Sequence, residues 1–164
     1  MVLQTPRLIL RRLTLDDAAF MVQLLNEPSF LANIGDKGVR TIAEAQRFLR
    51  ESHLASYERY GYGHYLVELK SDGTPIGTCG LIKREALNEI DVGFAYLPAY
   101  WSQGYATEAA AAVKDYGHTA LGIERIVGFV SPGNIGSIRV LEKLGLKFAG
   151  PAFLRPGDEV HLYA

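Results

Sequence analysis

The stretch Tyr100-Trp101-Ser102-Gln103-Gly104-Tyr105-Ala106-Thr107-Glu108-Ala109 decides how the rest of this 164-residue chain is read. Before it, Glu89–Leu97 alternates as a strand and is stopped by Pro98. After it, Ala106–Leu121 has helical spacing, with a small-residue face of Ala106, Ala109, Ala110, Val113, Gly117 and Ala120. A strand end, a short glycine-bearing loop and an immediate helix start leave N–H groups unpaired at the positive end of a helix dipole, which is what holding a diphosphate requires. Gly104 removes a side chain where an anion would approach the backbone, and Ala106 nearly does so again. An isolated Gly-x-Ala is a weak motif by itself. No Gly-Lys-Ser/Thr follows, which excludes a nucleotide P-loop.

Upstream, Leu8, Leu10 and Leu13 with Arg7, Arg11 and Arg12 predict a first strand, and Thr14-Leu15-Asp16-Asp17 a capped helix start with an acidic first turn. Phe20, Leu24 and Leu25 give that helix its apolar face, and Asn26-Glu27-Pro28 ends it. A polar loop, Asn33–Gly38, leads to a second capping box at Thr41-Ile42-Ala43-Glu44 and a helix to about Tyr57. His64–Lys70 and Pro75–Lys83 form a hairpin about Ser71-Asp72-Gly73-Thr74, and Glu89–Leu97 continues the meander. Downstream, Arg125–Val130 is a β-branched strand, Ile135–Leu144 a short helix ended by Gly145, and Lys147–Phe153 with Glu159–Tyr163 a closing hairpin. The order is β, two helices, three strands, helix, strand, helix, two strands. Strand–helix–strand across residues 89–130 implies one parallel pair in an otherwise antiparallel sheet, hence an α+β domain and not a doubly wound one.

Composition narrows the function classes. Seventeen Lys and Arg against eighteen Asp and Glu give a net charge of −1, with the basic residues scattered, so neither nucleic acid nor an anionic membrane is an expected partner. The single cysteine, Cys79, lies in the apolar run Ile76–Ile82 and is expected to be a buried structural thiol. The first residues lack a signal peptide's design, and no run approaches the roughly 18 apolar residues of a membrane span, so a cytoplasmic protein is expected. His53, His64, His118 and His161 show no ligand spacing, so no metal is expected.

Three ordered segments carry a family resemblance. Trp101-Ser102-Gln103-Gly104-Tyr105-Ala106 resembles the Gln/Arg-x-x-Gly-x-Gly/Ala phosphate motif of the GNAT superfamily of N-acetyltransferases, with Trp101 in the first position. Thr5-Pro6-Arg7-Leu8-Ile9-Leu10-Arg11 with Asp16-Asp17-Ala18 resembles the opening of its ribosomal-protein N-terminal acetyltransferase branch. Asn134–Leu146 is similar to that branch's Asn-x-x-Ser helix and closing Lys-Leu-Gly-Phe. The resemblance implies one acetyltransferase domain over residues 1–164, with helices on both faces of a mostly antiparallel sheet. It also implies that Asp91–Leu97 splays from Arg125–Val130 to open a V-shaped cleft for acetyl-CoA, the co-substrate. Pantetheine would pair with the strand at Phe94, Ala95 and Tyr96, and Asn134 would bond it from the other wall. The amides of Ser102, Gln103, Gly104, Tyr105, Ala106 and Thr107 would cap the diphosphate. The acceptor would be a small-molecule amine or a protein N-terminus, and monomer and homodimer both stay open.

The chemistry needs a neutral amine. A lysine amine has a reference pKa near 10.4 and an α-amine about 7.7–8.0, so a base helps the former more. Asp91 and Glu89, two residues apart on one sheet face, are the candidate bases, with surface carboxylates the plain alternative. Many family members place a tyrosine acid seven residues after the motif asparagine, where this chain has Leu141. Ser137 fills the Asn-x-x-Ser position, toward the coenzyme sulfur; its alternative role is capping the helix around Asn134. Tyr57, Tyr60 and Tyr62 line the acceptor cleft or pack over the sheet. The competing function is an acetyl-CoA-binding sensor without efficient acceptor chemistry.

Overall fold

The computed structural model describes residues 1–164. Its strands are β1 (Leu3–Gln4), β2 (Leu8–Arg12), β3 (His64–Leu69), β4 (Pro75–Arg84), β5 (Glu89–Tyr96), β6 (Gly128–Val130), β7 (Phe148–Arg155) and β8 (Asp158–Tyr163). Its helices are α1 (Ala18–Leu25), α2 (Pro28–Asn33), α3 (Ile42–Leu49), α4 (Ala55–Tyr60), α5 (Tyr105–Thr119) and α6 (Ile135–Lys143). Strands β1 to β5 form one antiparallel sheet in chain order, and β6-β8-β7 form a second. The two sheets meet at one parallel bridge, Asp91 to Val127. The architecture is thus α+β, mostly antiparallel, with one parallel contact.

Period-two alternation divides the core into two layers. On one face, Leu8, Leu10, Tyr65, Val67, Cys79 and Leu81 pack against Ala109, Ala110 and Val113 of α5. On the other, Leu66 packs with Leu13, Met21, Leu25, Ala45 and Leu49 of the α1–α3 layer. Cys79 is fully buried, and burial pushes its thiol up to about 12, which makes it an inert core residue. Ala120, expected on the buried face of α5, is exposed beyond the helix end, which comes at Thr119.

Capping works as the sequence implies at Thr14. Its hydroxyl and the Asp17 carboxylate exchange hydrogen bonds with each other's backbone, and Asp17 also accepts from Nη1 and Nη2 of Arg11. At Thr41 the hydroxyl accepts from the Glu44 N–H, but the Glu44 carboxylate reaches one residue further back, to the Arg40 N–H. Two elements differ from expectation. Pro28 does not merely end α1: its fixed φ and missing N–H suit a helix's first turn, and it starts α2. The helix from Thr41 does not run unbroken, because residues Arg50–Leu54 widen into a π-turn before α4. The expected strand Arg125–Val130 is regular only over Gly128–Val130, since its first half makes the single parallel bridge and then turns away.

Close backbone approach at Gly80 holds β3 and β4 in register. A Cβ there would lie 2.1 Å from the Gly63 carbonyl oxygen and 2.5 Å from His64 Cα. Backbone cannot yield as a side chain does, so Gly80→Ala is expected to cost about 1–3 kcal/mol or more in urea denaturation. Gly133→Ala, where a Cβ meets nothing within 4 Å, is expected to change little.

Candidate active site

The cleft begins where two hydrogen bonds end. Val127 N–H donates to Ile90 O at 2.9 Å, and Val92 N–H donates to Val127 O at 2.8 Å. Beyond Val92, β5 continues beside β4 through Tyr96 opposite Gly77, while β6 pairs with β8 instead. Alternation then directs the N–H and C=O of Phe94 and Tyr96 to the same open edge as those of Ile90 and Val92. The Tyr96 carbonyl is occupied by the Trp101 indole N–H at 2.9 Å. The remaining open groups form a short length of unpaired strand edge.

That edge leads to the start of α5. Gly104, with φ +84, is its N-cap, and no side chain caps the helix. Only glycine adopts that conformation without strain. Since the Glu108 N–H is the one bonded to Gly104 O, the N–H groups of Tyr105, Ala106 and Thr107 point out of the first turn. Glu108 fixes the loop from behind by accepting from the Thr5 hydroxyl at 2.5 Å, Arg7 N–H at 3.0 Å and Arg7 Nε at 2.8 Å. Arg7 also donates to Gln103 O at 2.9 Å and lies 4.3 Å over the Tyr105 ring. Its side chain is 44% exposed, so the ion pair itself contributes about 0–1 kcal/mol; its main effect is to put a cation beside the helix start. Sequence reasoning missed Arg7 because its partner lies 101 residues away.

A cavity of about 410 Å³ joins these parts, lined by Phe94, Ala95, Tyr96, Trp101, Ser102, Ala106, Asn134 and Ser137 among others. Gln103, Gly104, Tyr105 and Thr107 form the helix start without lining it, and the Gln103 side chain turns back to Ala99 O. The cavity's far wall is α2, through Ser29, Phe30 and Asn33. The Ser131 hydroxyl bonds Asn33 O at 2.9 Å and ties α2 to the α6 loop. Asn134, not Ser137, caps α6: its Oδ1 accepts the Ser137 N–H at 3.4 Å. Asn134 thereby keeps its amide nitrogen and the second lone pair of Oδ1 for another partner. Leu141 is buried in the core, where its methyls pack over Gly128.

A second cavity of about 540 Å³ opens on the α1–α4 face of the sheet and shares Phe94, Ala95, Asn134 and Ser137 with the first. Its lining includes Asp91, Gly93, Thr78, Arg84 and His64 from the sheet, and Ser52 and His53 from the π-turn. π-turns widen a helix where a site needs side chains displaced, and here the displacement brings His53 over the sheet. Asp91 is 2% exposed, not a surface carboxylate, and Arg84 Nε lies 2.5 Å from its Oδ2. Burial raises the Asp91 pKa, and the Arg84 charge and hydrogen bond oppose the rise without cancelling it. Glu89 faces elsewhere: Arg125 holds it at 3.1 Å, and it lines neither cavity. Tyr60 lines the larger cavity, whereas Tyr57 and Tyr62 belong to the core. No group of His, Cys, Asp and Glu side chains has metal-holding geometry, and no helix is long and apolar enough to cross a membrane.

The family description "Acetyltransferase (GNAT) domain" matches residues 7–147. An uncharacterized N-acetyltransferase p20 from Bacillus licheniformis is 28% identical over 90% of this chain and 83% of its own. Among solved structures, RimL, described as a ribosomal L7/L12 alpha-N-protein acetyltransferase in complex with coenzyme A, superposes with a TM-score of 0.81 at 17% identity, covering 99% of this chain and 95% of its own. AAC(6')-Ib in complex with ribostamycin and coenzyme A gives 0.77 at 20% identity, covering 95% and 91%.

Asp91 makes stability depend on pH in a definite direction. Its folded pKa is raised above the unfolded value of about 3.9, so the folded state binds this proton more tightly. That contribution is present below the unfolded pKa and is lost as pH rises through the folded pKa. The unfolding free energy of Asp91→Asn relative to the parent is therefore expected to climb between those two pKa values and then level, as followed by urea denaturation at a series of pH values.

Proposed function

Because the chain belongs to the acetyltransferase (GNAT) family, we propose that residues 1–164 form one catalytic domain that transfers acetyl from acetyl-CoA to an amine by direct attack in a ternary complex. The observation that carries this proposal is the unpaired edge of β5 beyond Val92 running straight to the uncapped start of α5. Pantetheine adds to that edge as a short strand, through Phe94 and Tyr96. The diphosphate lies at the amides from Ser102 to Thr107, with Arg7 supplying charge beside them. A Cβ on Gly104 would stand 3.3 Å from Arg7 Nη2, so the glycine leaves room for that cation beside the helix start.

The acetyl group then falls where the two cavities meet, near Phe94, Asn134 and Ser137. The Phe94 N–H is placed to stabilise the oxyanion formed on attack. Ser137 supplies a hydroxyl toward the departing sulfur, whose thiol has a reference pKa of about 8.5 and needs modest proton donation. Asp91 is the base: burial makes it a stronger proton acceptor than an ordinary carboxylate, and Arg84 keeps it oriented. RimL acts on a protein α-amine and AAC(6')-Ib holds ribostamycin, so one architecture accommodates acceptors of very different size. The larger cavity here, with Asp91 at its floor, favours turnover over a coenzyme sensor.

Gly104→Val is expected to lower acetyl-CoA affinity at least tenfold in calorimetry. Gly122→Ala carries comparable backbone strain, at φ +67 near the other end of α5, and is expected to leave affinity intact. Unchanged affinity in Gly104→Val would remove the cradle. Asn134→Ala is expected to weaken coenzyme binding and Ser137→Ala to lower kcat in steady-state kinetics; a Ser137→Ala effect on Tm alone would make that residue structural. Asp91→Asn is expected to lose the acidic limb of the pH–rate profile, with a tenfold or greater drop in rate, roughly 1.4 kcal/mol in the barrier. The drop is larger for a lysine-like amine than for an α-amine. Coenzyme binding without thiol release, across a panel of such amines, would favour the sensor.

A further inference from the structure

The acetyl-transfer scheme uses the wall that the larger cavity shares with the smaller one, at Phe94, Asn134 and Ser137, and leaves the rest unassigned. Lys37, His53 and Asp158 line the larger cavity alone, outside that shared wall. Lys37 is the one charged side chain of the lining without a partner. Each carboxylate is held by a guanidinium: Glu51 by Arg47 at 2.9 Å, Asp91 by Arg84 at 2.5 Å and Asp158 by Arg155 at 3.4 Å. The other cations are engaged as well, Arg59 by Glu85 at 3.1 Å and Lys83 by Asn88 Oδ1 at 2.9 Å. Only Asp158 sets an opposite charge near the Lys37 ammonium, and Arg155 keeps that carboxylate for itself.

The loop that carries Lys37 is anchored on both sides. The Asp36 carboxylate accepts from Gly38 N–H at 2.8 Å and from Arg40 Nη2 at 2.6 Å. Val39 is buried, and its carbonyl accepts from Asn26 Nδ2 at 2.7 Å. Arg155 closes on the same loop from the β7–β8 turn, where a Cβ on Gly35 would stand 3.9 Å from its Nη2. Lys37 itself is exposed, so a ligand entering from solvent can touch its amine. Its charge bears on His53 and His64, both in the cavity lining, so the ammonium stands near the cavity and is not turned away from it. The protein packed around it, and after that Arg84 and Arg155, lowers the Lys37 pKa, with Asp158 opposing. A cation set among cations gains more from an incoming anion than an isolated surface lysine does. The walls that α1, α2 and α3 contribute are apolar, through Met21, Leu25, Phe30 and Phe48.

We propose that Lys37 receives a carboxylate of the acceptor, which is a small amino acid with its amine and its carboxylate at opposite ends of an apolar body. This rests on the amine acetyltransferase function above. The amine lies at the shared wall, where the acetyl group is delivered, and the apolar body lies along the walls from α1, α2 and α3. The carboxylate then meets the Lys37 ammonium, which donates to it as a charge-assisted hydrogen bond. A cavity of about 540 Å³ is of the size that encloses a small molecule. A single free ammonium matches a carboxylate, since Arg84 and Arg155 are already committed to Asp91 and Asp158. A polycationic acceptor is selected against, because its far end would meet a like charge at Lys37. An acidic side chain near a protein N-terminus offers the same carboxylate chemistry, and the test separates the two sources.

The test measures kcat/KM of the whole chain with acetyl-CoA for glycine, 4-aminobutanoate and 6-aminohexanoate, each beside its amide. Two N-terminal tripeptide amides, with glutamate or glutamine at the second position, complete the set. The acid-to-amide ratio is compared between parent and variants, which cancels differences in amine pKa within each pair. The parent is expected to favour the acid at least tenfold for 4-aminobutanoate or 6-aminohexanoate, and not for glycine, whose two groups are too close together to span the cavity. Lys37→Met is expected to erase that preference, with coenzyme A affinity and Tm unchanged. Lys37→Arg is expected to keep most of it, and Lys37→Glu to reverse it. A Lys37-dependent preference confined to the glutamate peptide overturns the small amino acid as acceptor. No acid preference in the parent, or one that Lys37→Met leaves intact, overturns the proposal while leaving acetyl transfer in place. Absence of any acetyl-CoA binding by the parent sinks the proposed function, and this reading with it. Should the parent bind acetyl-CoA and turn over no acceptor, the ¹³Cε resonance of Lys37 in the coenzyme A complex decides. A shift with 6-aminohexanoate that its amide does not produce sustains the contact, and an unmoved resonance overturns it.

Discussion

Everything at the candidate site depends on where β5 and β6 stop bonding. Two hydrogen bonds, between Val127 just before β6 and Ile90 and Val92 of β5, hold the two segments together; one residue later they part. Had the pairing continued, the edge of β5 would be satisfied by its own chain and there would be no backbone left for a ligand. Had it not begun, β5 and β6 would belong to unconnected sheets. The partition into five strands and three, the joined cavities and the reach from Asp91 to Gly104 all follow from one short parallel contact between sheets that otherwise bond internally.

The parting is stable because each strand has another partner. β5 lies against β4 over its full length, from Glu89 opposite Arg84 to Tyr96 opposite Gly77. β6 is drawn to β8, whose Leu162 and Tyr163 pair with Phe129 and Gly128. Below the cleft, α5 buries only small side chains and can therefore lie close to the sheet, which brings its first turn near the open edge. Above it, α2 is tied across by Asn33 to Ser131, so the opening is roofed by an element anchored on both sides.

The polar groups of the larger cavity differ in environment through burial. Asp91 is charged only at a cost, which Arg84 reduces; His64 is kept neutral by the absence of water and the presence of cations. Glu89, two residues from Asp91 on the same strand, escapes this environment because Arg125 draws it outward. Carboxylates of equal promise by spacing thus differ in burial and in partner through their neighbours. Chain distance explains why this was hidden: Asp91, Gly93 and His64 meet only because β3, β4 and β5 stack their registers.

The sequence by itself determined the element order from β3 onward, the capped starts at Thr14 and Thr41, the buried Cys79, and the helix start at Gly104. Each of these is a local matter, settled by side-chain period, by a polar residue next to a helix start, or by glycine where φ is positive. Phe94, Asn134 and Ser137 were marked only through the family resemblance, as expected coenzyme contacts. Tertiary structure alone decided that Pro28 begins a helix, that residues 50–54 widen into a π-turn, that Asn134 is the cap while Ser137 stays open, and that Asp91 is buried and Glu89 is not. It also placed Arg7 beside Gln103, and the His64 ring against Gly93. These depend on pairings between residues far apart in the chain, and hydrophobic period carries no information about which distant backbone or charge will close over a polar side chain.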